Sequence, residues 1–341
     1  MQQRAETGKD CLPFTTSATD RTEQTVGKPR TVDREKAITG DRIFKWMTTG
    51  FAFSILIILG LMLFQMAGES WPALKQFGWQ FVTGRDWDAV QGHFGALPYL
   101  YGSVVSSVLA LLLATPLSIG AAIFITEIAP KRLGSLIAPL VELLAAIPSV
   151  IYGLWGVLVM APWLQSTVEP FLIERFGFLP FFQGAPYGVS MLAAVFILMI
   201  MVVPIITSIT REVLLAVPQS QKEAAIALGA TRWETIMMAV LPYGRSGIMG
   251  AAILGLGRAV GETMAVTMVI GNAPQISASL LSPAYTMPSV IANEFAEAVS
   301  KLHTAALMEI GLMLLVVTLI INALARLLIW GVTKDSSGGA A

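Results

Sequence analysis

Six stretches of this sequence stay apolar for long enough to cross a bilayer, a pattern that no water-soluble core accommodates. A helix rises about 1.5 Å per residue, so roughly 20 residues cross about 30 Å of hydrocarbon. Runs of that length lie near residues 46–67, 99–126, 135–160, 189–210, 247–271 and 306–330. Backbone groups in hydrocarbon must satisfy one another within a segment, which limits such spans to helices. The expected fold is therefore an all-α membrane protein with six transmembrane helices. Composition agrees: 55% of the 341 residues are apolar and only 13% are charged, whereas soluble domains carry about 25% charged residues.

An even number of crossings puts both ends of the chain on one side, and the distribution of Lys and Arg chooses that side. With the N-terminus cytoplasmic, the inside receives nine basic residues from Arg4 to Lys45, then Lys131, Arg132, Arg211, Lys222, Arg232, Arg245, Arg326 and Lys334. The outside receives Lys75, Arg85, Arg175 and Lys301. Residues 1–41 are rich in Thr and in charges of both signs, too polar to offset the entropy of ordering, and read as a disordered cytoplasmic tail. Residues 42–341 read as one transmembrane domain. The net charge is zero, which leaves no global basic field to recruit nucleic acid. The single cysteine, Cys11, rules out an internal disulfide or a cysteine-based metal cluster.

The outer loops are aromatic. Trp71, Phe77, Trp79, Phe81, Trp87 and Phe94 follow the first span, with Pro72 to Phe81 expected as a short surface helix. Trp155, Trp163, Phe171, Phe176, Phe178, Phe181 and Phe182 are assigned to the second outer loop. Such residues anchor at headgroup level. His93 and His303 are isolated in sequence, and neither loop has metal-ligand spacing. No Gly-x-x-x-x-Gly-Lys-Ser/Thr loop and no nucleophile-base arrangement is present, so neither nucleotide hydrolysis nor covalent catalysis is expected of this chain.

The longest inside loop, residues 211–246, has an organisation of its own. Pro218 is placed to open a helix and Gly229 to close it, with a second helical run from Arg232 to Val240 and then Leu241-Pro242. The first helix offers Ala224, Ala225 and Leu228 beside Glu223, a surface suited to a groove on another protein. This loop resembles the cytoplasmic coupling loop of ABC-importer permeases. Their pattern is Glu-Ala-Ala, three residues, Gly, nine residues, Ile, any residue, Leu-Pro. The match falls at Glu223, Ala224, Ala225, Gly229, Leu241 and Pro242, with Ala239 departing from the usual Ile. The resemblance implies a type I ABC-importer permease architecture with a coupling helix between the fourth and fifth spans.

A second resemblance is carried by Ala129-Pro130-Lys131, by Glu142 to Gly153, and by the run Gly257-Arg258-Ala259-Val260-Gly261-Glu262-Thr263-Met264-Ala265-Val266. Over residues 45–335 the chain is similar to the PstC family of phosphate-importer permeases. That family implies a bacterial inner-membrane protein with a homologous permease partner, PstA, and two copies of the ATPase PstB. It also implies delivery of inorganic phosphate by the binding protein PstS. It implies no cofactor on the permease itself, since ATP is bound by the partner. Alternatives are a permease for another oxyanion such as sulfate or molybdate, or an ion-coupled secondary transporter.

Charges inside spans carry the remaining expectations, because an ionised group at bilayer depth costs about 3 kcal/mol and by default signals function. Arg258 and Glu262 are one turn apart, so the fifth helix is expected to show them on one face with Ala251, Gly255, Ala265 and Val269. Gly257 and Gly261 on the adjacent strip would admit another helix. The guanidinium fork matches an oxyanion, with Glu262 expected to hold it or simply to neutralise it. Glu127, at the inside end of the second span, and Glu142, at shallow depth in the third, are gating or structural candidates. Pro116, Pro148 and Pro204 are expected as kinks within spans.

Overall fold

The computed structural model describes the backbone of residues 34–337 and the side chains of residues 42–327. Two compact units are distinguished, Met1–Leu61 and Met62–Ala341. The first helix, α1 (Arg34–Phe77), runs through the boundary. Within the first unit every described side chain from Arg42 to Leu61 is exposed, as befits an apolar helix whose environment is lipid. The helix begins at Arg34, inside the stretch expected to be a tail; the rest of that stretch lies outside the described residues.

The described residues of the second unit are mostly helical, with a two-residue antiparallel ladder, β1 (Trp87–Asp88) with β2 (His93–Phe94), and an isolated parallel bridge between Gly271 and Ala284. Short α2 (Trp79–Thr83) precedes the ladder. Then follow α3 (Leu97–Ile128), α4 (Lys131–Ala145), α5 (Ser149–Phe176), α6 (Met191–Leu215), α7 (Gln219–Ala227), α8 (Arg232–Gly261), α9 (Met264–Val269), α10 (Met287–Glu294) and α11 (Lys301–Ser337). Among the described residues six helices are long and apolar enough to cross a membrane: Arg42–Phe77 of α1, then α3, α5, α6, α8, and Lys301–Leu327 of α11.

The expected number of spans holds, and several boundaries move. Ile147-Pro148 does not kink a third span; it ends one helix and starts another, with Pro148 extended at φ −57° and ψ 135°. The stretch expected to cross at 135–160 is thus divided: its first part, to Ala145, belongs to a separate helix, α4, and its second part, from Ser149, begins the crossing helix α5, which carries Trp155, Trp163, Phe171 and Phe176. Likewise α1 continues through Pro72, and the break falls at Gly78. The second helix of the long loop is continuous with the fifth span as α8. A wide turn at Ile236–Val240 precedes Leu241-Pro242, shifting the hydrogen-bond register where proline lacks a donor.

The centre of the unit is α6, whose most apolar window is 61% buried, about twice the value of any other span. It packs on α3, α4 and α8. Ser118 of α3 donates to the Val203 carbonyl at 3.2 Å, a polar tie beside Pro204. The α6–α8 contact depends on missing side chains. A Cβ at Gly255 would lie 2.8 Å from both Val202 Cγ1 and Ile206 Cδ1, and one at Gly247 2.5 Å from Val213. At Gly250 nothing lies within 4 Å.

Gly255→Leu is therefore expected to lose about 1–3 kcal/mol of stability by overpacking, read as a lower melting temperature of the purified protein. Gly250→Ala should leave it unchanged or raise it slightly. Equal tolerance at both positions would refute the packing described.

Candidate functional site

Two regions bring the sequence candidates together: the hairpin formed by α7 and the start of α8, and the far end of α8. The hairpin is built by local rules. Pro218, with φ −58° and ψ 133°, precedes α7, and Gly229 closes it at φ +89°. There the Gly229 N–H donates to Ile226 at 2.9 Å and the Ala230 N–H to Ala225 at 3.1 Å. A side chain at that φ would be strained, which is why glycine ends the helix. Thr231 and Glu234 then form a reciprocal capping box: the Glu234 N–H donates to Thr231 Oγ1 at 3.3 Å, and the Thr231 N–H to Glu234 Oε2 at 2.7 Å.

Glu223 and Ala224 are exposed and Ala225 is half-buried. Beside them Ile226, Leu228, Trp233 and Met238 are exposed apolar side chains, Leu228 at 90%. Ala239 stands at the position where a larger residue was expected, and it lines a crevice of about 480 Å³ together with Ala225, Leu228, Gly229 and Met238. Leu241 packs instead into the buried cluster of Ile123, Leu214, Val217, Ile236, Val240 and Ile248. The motif is thus split: Glu223 to Gly229 present a surface, while Leu241 packs against the spans and Pro242 beside it is exposed.

Two ion pairs secure that end. Lys222 Nζ lies 2.6 Å from Glu127 Oε1, with both side chains about 85% buried, joining α7 to the end of α3. Arg211 at the end of α6 lies 3.7 Å from Glu142, which sits on α4 and not at depth in a third span. The second pair is half exposed and contributes little. The first is desolvated and short.

At the far end of α8 the structure corrects the expected Arg258–Glu262 face. The helix stops at Gly261; Glu262 takes φ −69° and ψ 125°, and a new short helix, α9, starts at Met264. Among the described residues no ion pair or hydrogen bond joins Arg258 to Glu262. Glu262 is 8% exposed, and its Oε1 accepts from the Ala265 N–H at 3.3 Å, at the opening of α9. Arg258 is exposed. Around it the buried side of α8 is Gly255, Leu256, Ala259 and Val260, while Gly250, Leu254, Gly257, Arg258 and Gly261 fall within an arc of about 100° that is largely uncovered. Leu254 is 61% exposed, and nothing within 4 Å faces Gly250 or Gly261. Gly257 is half-buried, with Asn322 of α11 4.0 Å from where its Cβ would stand, whereas among the described residues nothing approaches Gly261. Since Gly255 abuts Val202 and Ile206, near the midpoint of α6, Arg258 sits at mid-span depth.

Three groups escaped the sequence reading. Glu169, fully buried at the end of α5, accepts from the Gly188 N–H at 2.9 Å and the Ser190 hydroxyl at 3.1 Å, tying down the start of α6. It lay in what was expected to be a loop; Ser190 just before an apolar run was the available cue. His303 is not isolated: its Nε2 lies 3.0 Å from Glu294 Oε2, which also accepts from Trp87 Nε1 at 2.8 Å. That contact spans 207 residues of sequence. Glu309 lies in the sixth expected span, and no charged residue stands one turn away from it.

Comparison with known proteins agrees with this architecture. Residues 114–334 match the family described as binding-protein-dependent transport system inner membrane component. The chain is 48% identical over 311 residues to the phosphate transport system permease protein PstC of Mesorhizobium japonicum, covering 90% of this chain and 94% of that one. It is 44% identical to the protein of that name from Pasteurella multocida, covering 86% and 92%. Among solved structures it resembles a chain of a bacterial ABC transporter involved in alginate import, at TM-score 0.58 and 18% identity, covering 87% of this chain and 98% of that chain. A chain of the MetNI methionine ABC transporter aligns at TM-score 0.51 and 16% identity, covering 69% and 94%. These two speak for the fold alone.

The Glu127–Lys222 pair yields a thermodynamic expectation. Glu127→Gln and Lys222→Met should each cost about 1–3 kcal/mol, and the double variant less than their sum by about 0.5–3 kcal/mol. Melting of the purified variants measures this, and strict additivity would exclude a coupled pair.

Proposed function

We propose that this chain, which belongs to the family of binding-protein-dependent transport inner membrane components, is one permease subunit of an ATP-driven importer whose cargo is inorganic phosphate. The protein is a multi-pass inner-membrane component, and energy comes from a separate ATPase subunit. The phosphate reading rests on identity to relatives named as phosphate permeases along nearly their whole length. The observation that carries the mechanism is Arg258, a permanent cation at mid-span depth on a face that this chain leaves open.

In this reading the open face of α8 meets the homologous permease subunit PstA, and the two enclose the route. Arg258 supplies forked N–H donors to the oxyanion. Glu262 acts as a positioning residue: its carboxylate caps the turn that follows Arg258 and so fixes where the guanidinium points. Two copies of the ATPase PstB receive the hairpins. The exposed Glu223, Ala224, Ile226 and Leu228 enter a groove on that subunit, and the Glu127–Lys222 pair passes the movement to α3. The binding protein PstS delivers phosphate at the opposite end. The hairpin end is cytoplasmic, with both chain termini on that side, on the distribution of basic residues.

Orientation is tested by cysteine labelling in a Cys11→Ser background. Ser220→Cys in the hairpin should react with an impermeant reagent only from the cytoplasmic face, and Val299→Cys, at a 97% exposed position, only from outside. Reversed labelling would overturn every role assigned here.

The cargo role is tested by uptake of radiolabelled phosphate in a strain carrying the other subunits. Arg258→Lys keeps the charge and loses the fork, so uptake should fall about tenfold, a loss of about 1.4 kcal/mol, with membrane abundance unchanged. Glu262→Gln keeps an acceptor for the Ala265 N–H and should retain most activity, whereas Glu262→Leu should lose both uptake and thermal stability. Normal uptake by Arg258→Met would remove the arginine from the route. Effective competition by sulfate with the binding protein bypassed would point to another oxyanion.

A further inference from the structure

Where α1 ends against α11, a crevice of about 280 Å³ is lined by Ala67, Trp71, Leu74, Phe81, Leu312 and Met313, with Glu309 opening into it. Every wall but Glu309 and Ser70 is apolar. Glu309 is only 8% exposed, and its Oε2 is buried with no hydrogen-bond partner. The one nearby hydroxyl, Ser70 Oγ, is already turned to the Ala67 carbonyl at 3.1 Å. An unpaired carboxyl oxygen in apolar surroundings is costly, and none of the described side chains supplies a donor.

We propose that this crevice binds one phospholipid with a primary-ammonium headgroup, a phosphatidylethanolamine, whose ammonium pairs with Glu309 while an acyl chain lies along Leu312, Met313 and Val316. The level is right for a headgroup. α1 ends at Phe77 and turns at Gly78 into the short helix α2, and Trp71, 62% exposed at the rim, is of the type that settles at the membrane interface. The size suits a hydrocarbon chain and excludes a protein helix, which is about 10–12 Å across with its side chains. The charge selects among lipids. A primary ammonium brings three N–H donors and a positive charge, as a lysine does; a quaternary choline has no N–H to give, and an acidic headgroup is repelled by the carboxylate. The site stands apart from Arg258 and from the hairpin, and does not depend on the cargo.

The test is native mass spectrometry of the full chain, purified and delipidated in a non-ionic detergent. It is titrated with phosphatidylethanolamine, its N,N-dimethyl derivative and phosphatidylcholine of identical acyl chains. Phosphatidylethanolamine adducts should form at about one-tenth the concentration needed for phosphatidylcholine, with the dimethyl lipid between them. In the isosteric Glu309→Gln the three should approach parity. Parity in the unaltered protein, or an undiminished preference in Glu309→Gln, would overturn the proposal. Independently, a photoreactive residue at Leu312 in native membranes should crosslink to phosphatidylethanolamine; trapping a polypeptide there instead would assign the crevice to a protein partner and reject the lipid.

Discussion

Gly255 lies flat against Val202 and Ile206, and this contact fixes the rotation of α8 about its own axis at the level of Arg258. Helices in lipid gain little from hydrophobicity and associate through close van der Waals fit, which small residues permit. Once Gly255, Leu256, Ala259 and Val260 are committed to the interior, the arc through Leu254, Gly257 and Gly261 faces outward, with Arg258 at its edge. The cation is thus presented by a packing decision made on the other side of the helix. The turn at Glu262 and Thr263 then ends α8 just past the arginine.

Several polar groups secure an end or a break. Glu127 with Lys222 and Arg211 with Glu142 hold the hairpin end. At the other end Glu169 holds the start of α6, and Glu294 collects the Trp87 indole and the His303 ring. Between them the walls of α6 are almost wholly apolar. Charge pairs of this kind cost desolvation energy, and removing one partner is more damaging than their net contribution suggests. Among the described residues this leaves the guanidinium of Arg258 unpaired in the middle, and the Glu127–Lys222 pair ties the hairpin to the end of α3.

Local rules were legible in the sequence. Pro218, Gly229 and the Thr231–Glu234 box define the hairpin by backbone chemistry that needs no distant partner, and six spans follow from length and apolarity. Boundaries were less legible where proline was involved. Pro148 reads the same on paper whether it kinks or ends a helix, and only the packing of α4 on α6 separates the two. At Ile236–Val240 and Pro242 the outcome was the reverse, because a wide turn absorbed the missing donor and the helix continued.

By itself the sequence determined the class of fold, the number of crossings and the form of the hairpin, since each depends on hydrophobic length or on residues within one turn of each other. Tertiary structure decided the partners of charge. Arg258 and Glu262, one turn apart in the chain, are separated by a helix end, whereas Lys222 reaches Glu127 and Trp87 reaches Glu294 across distances in sequence that no periodicity reveals. The reason is physical: helix rotation and the position of a break are set by which neighbours a face can approach, and those neighbours are supplied by other parts of the chain.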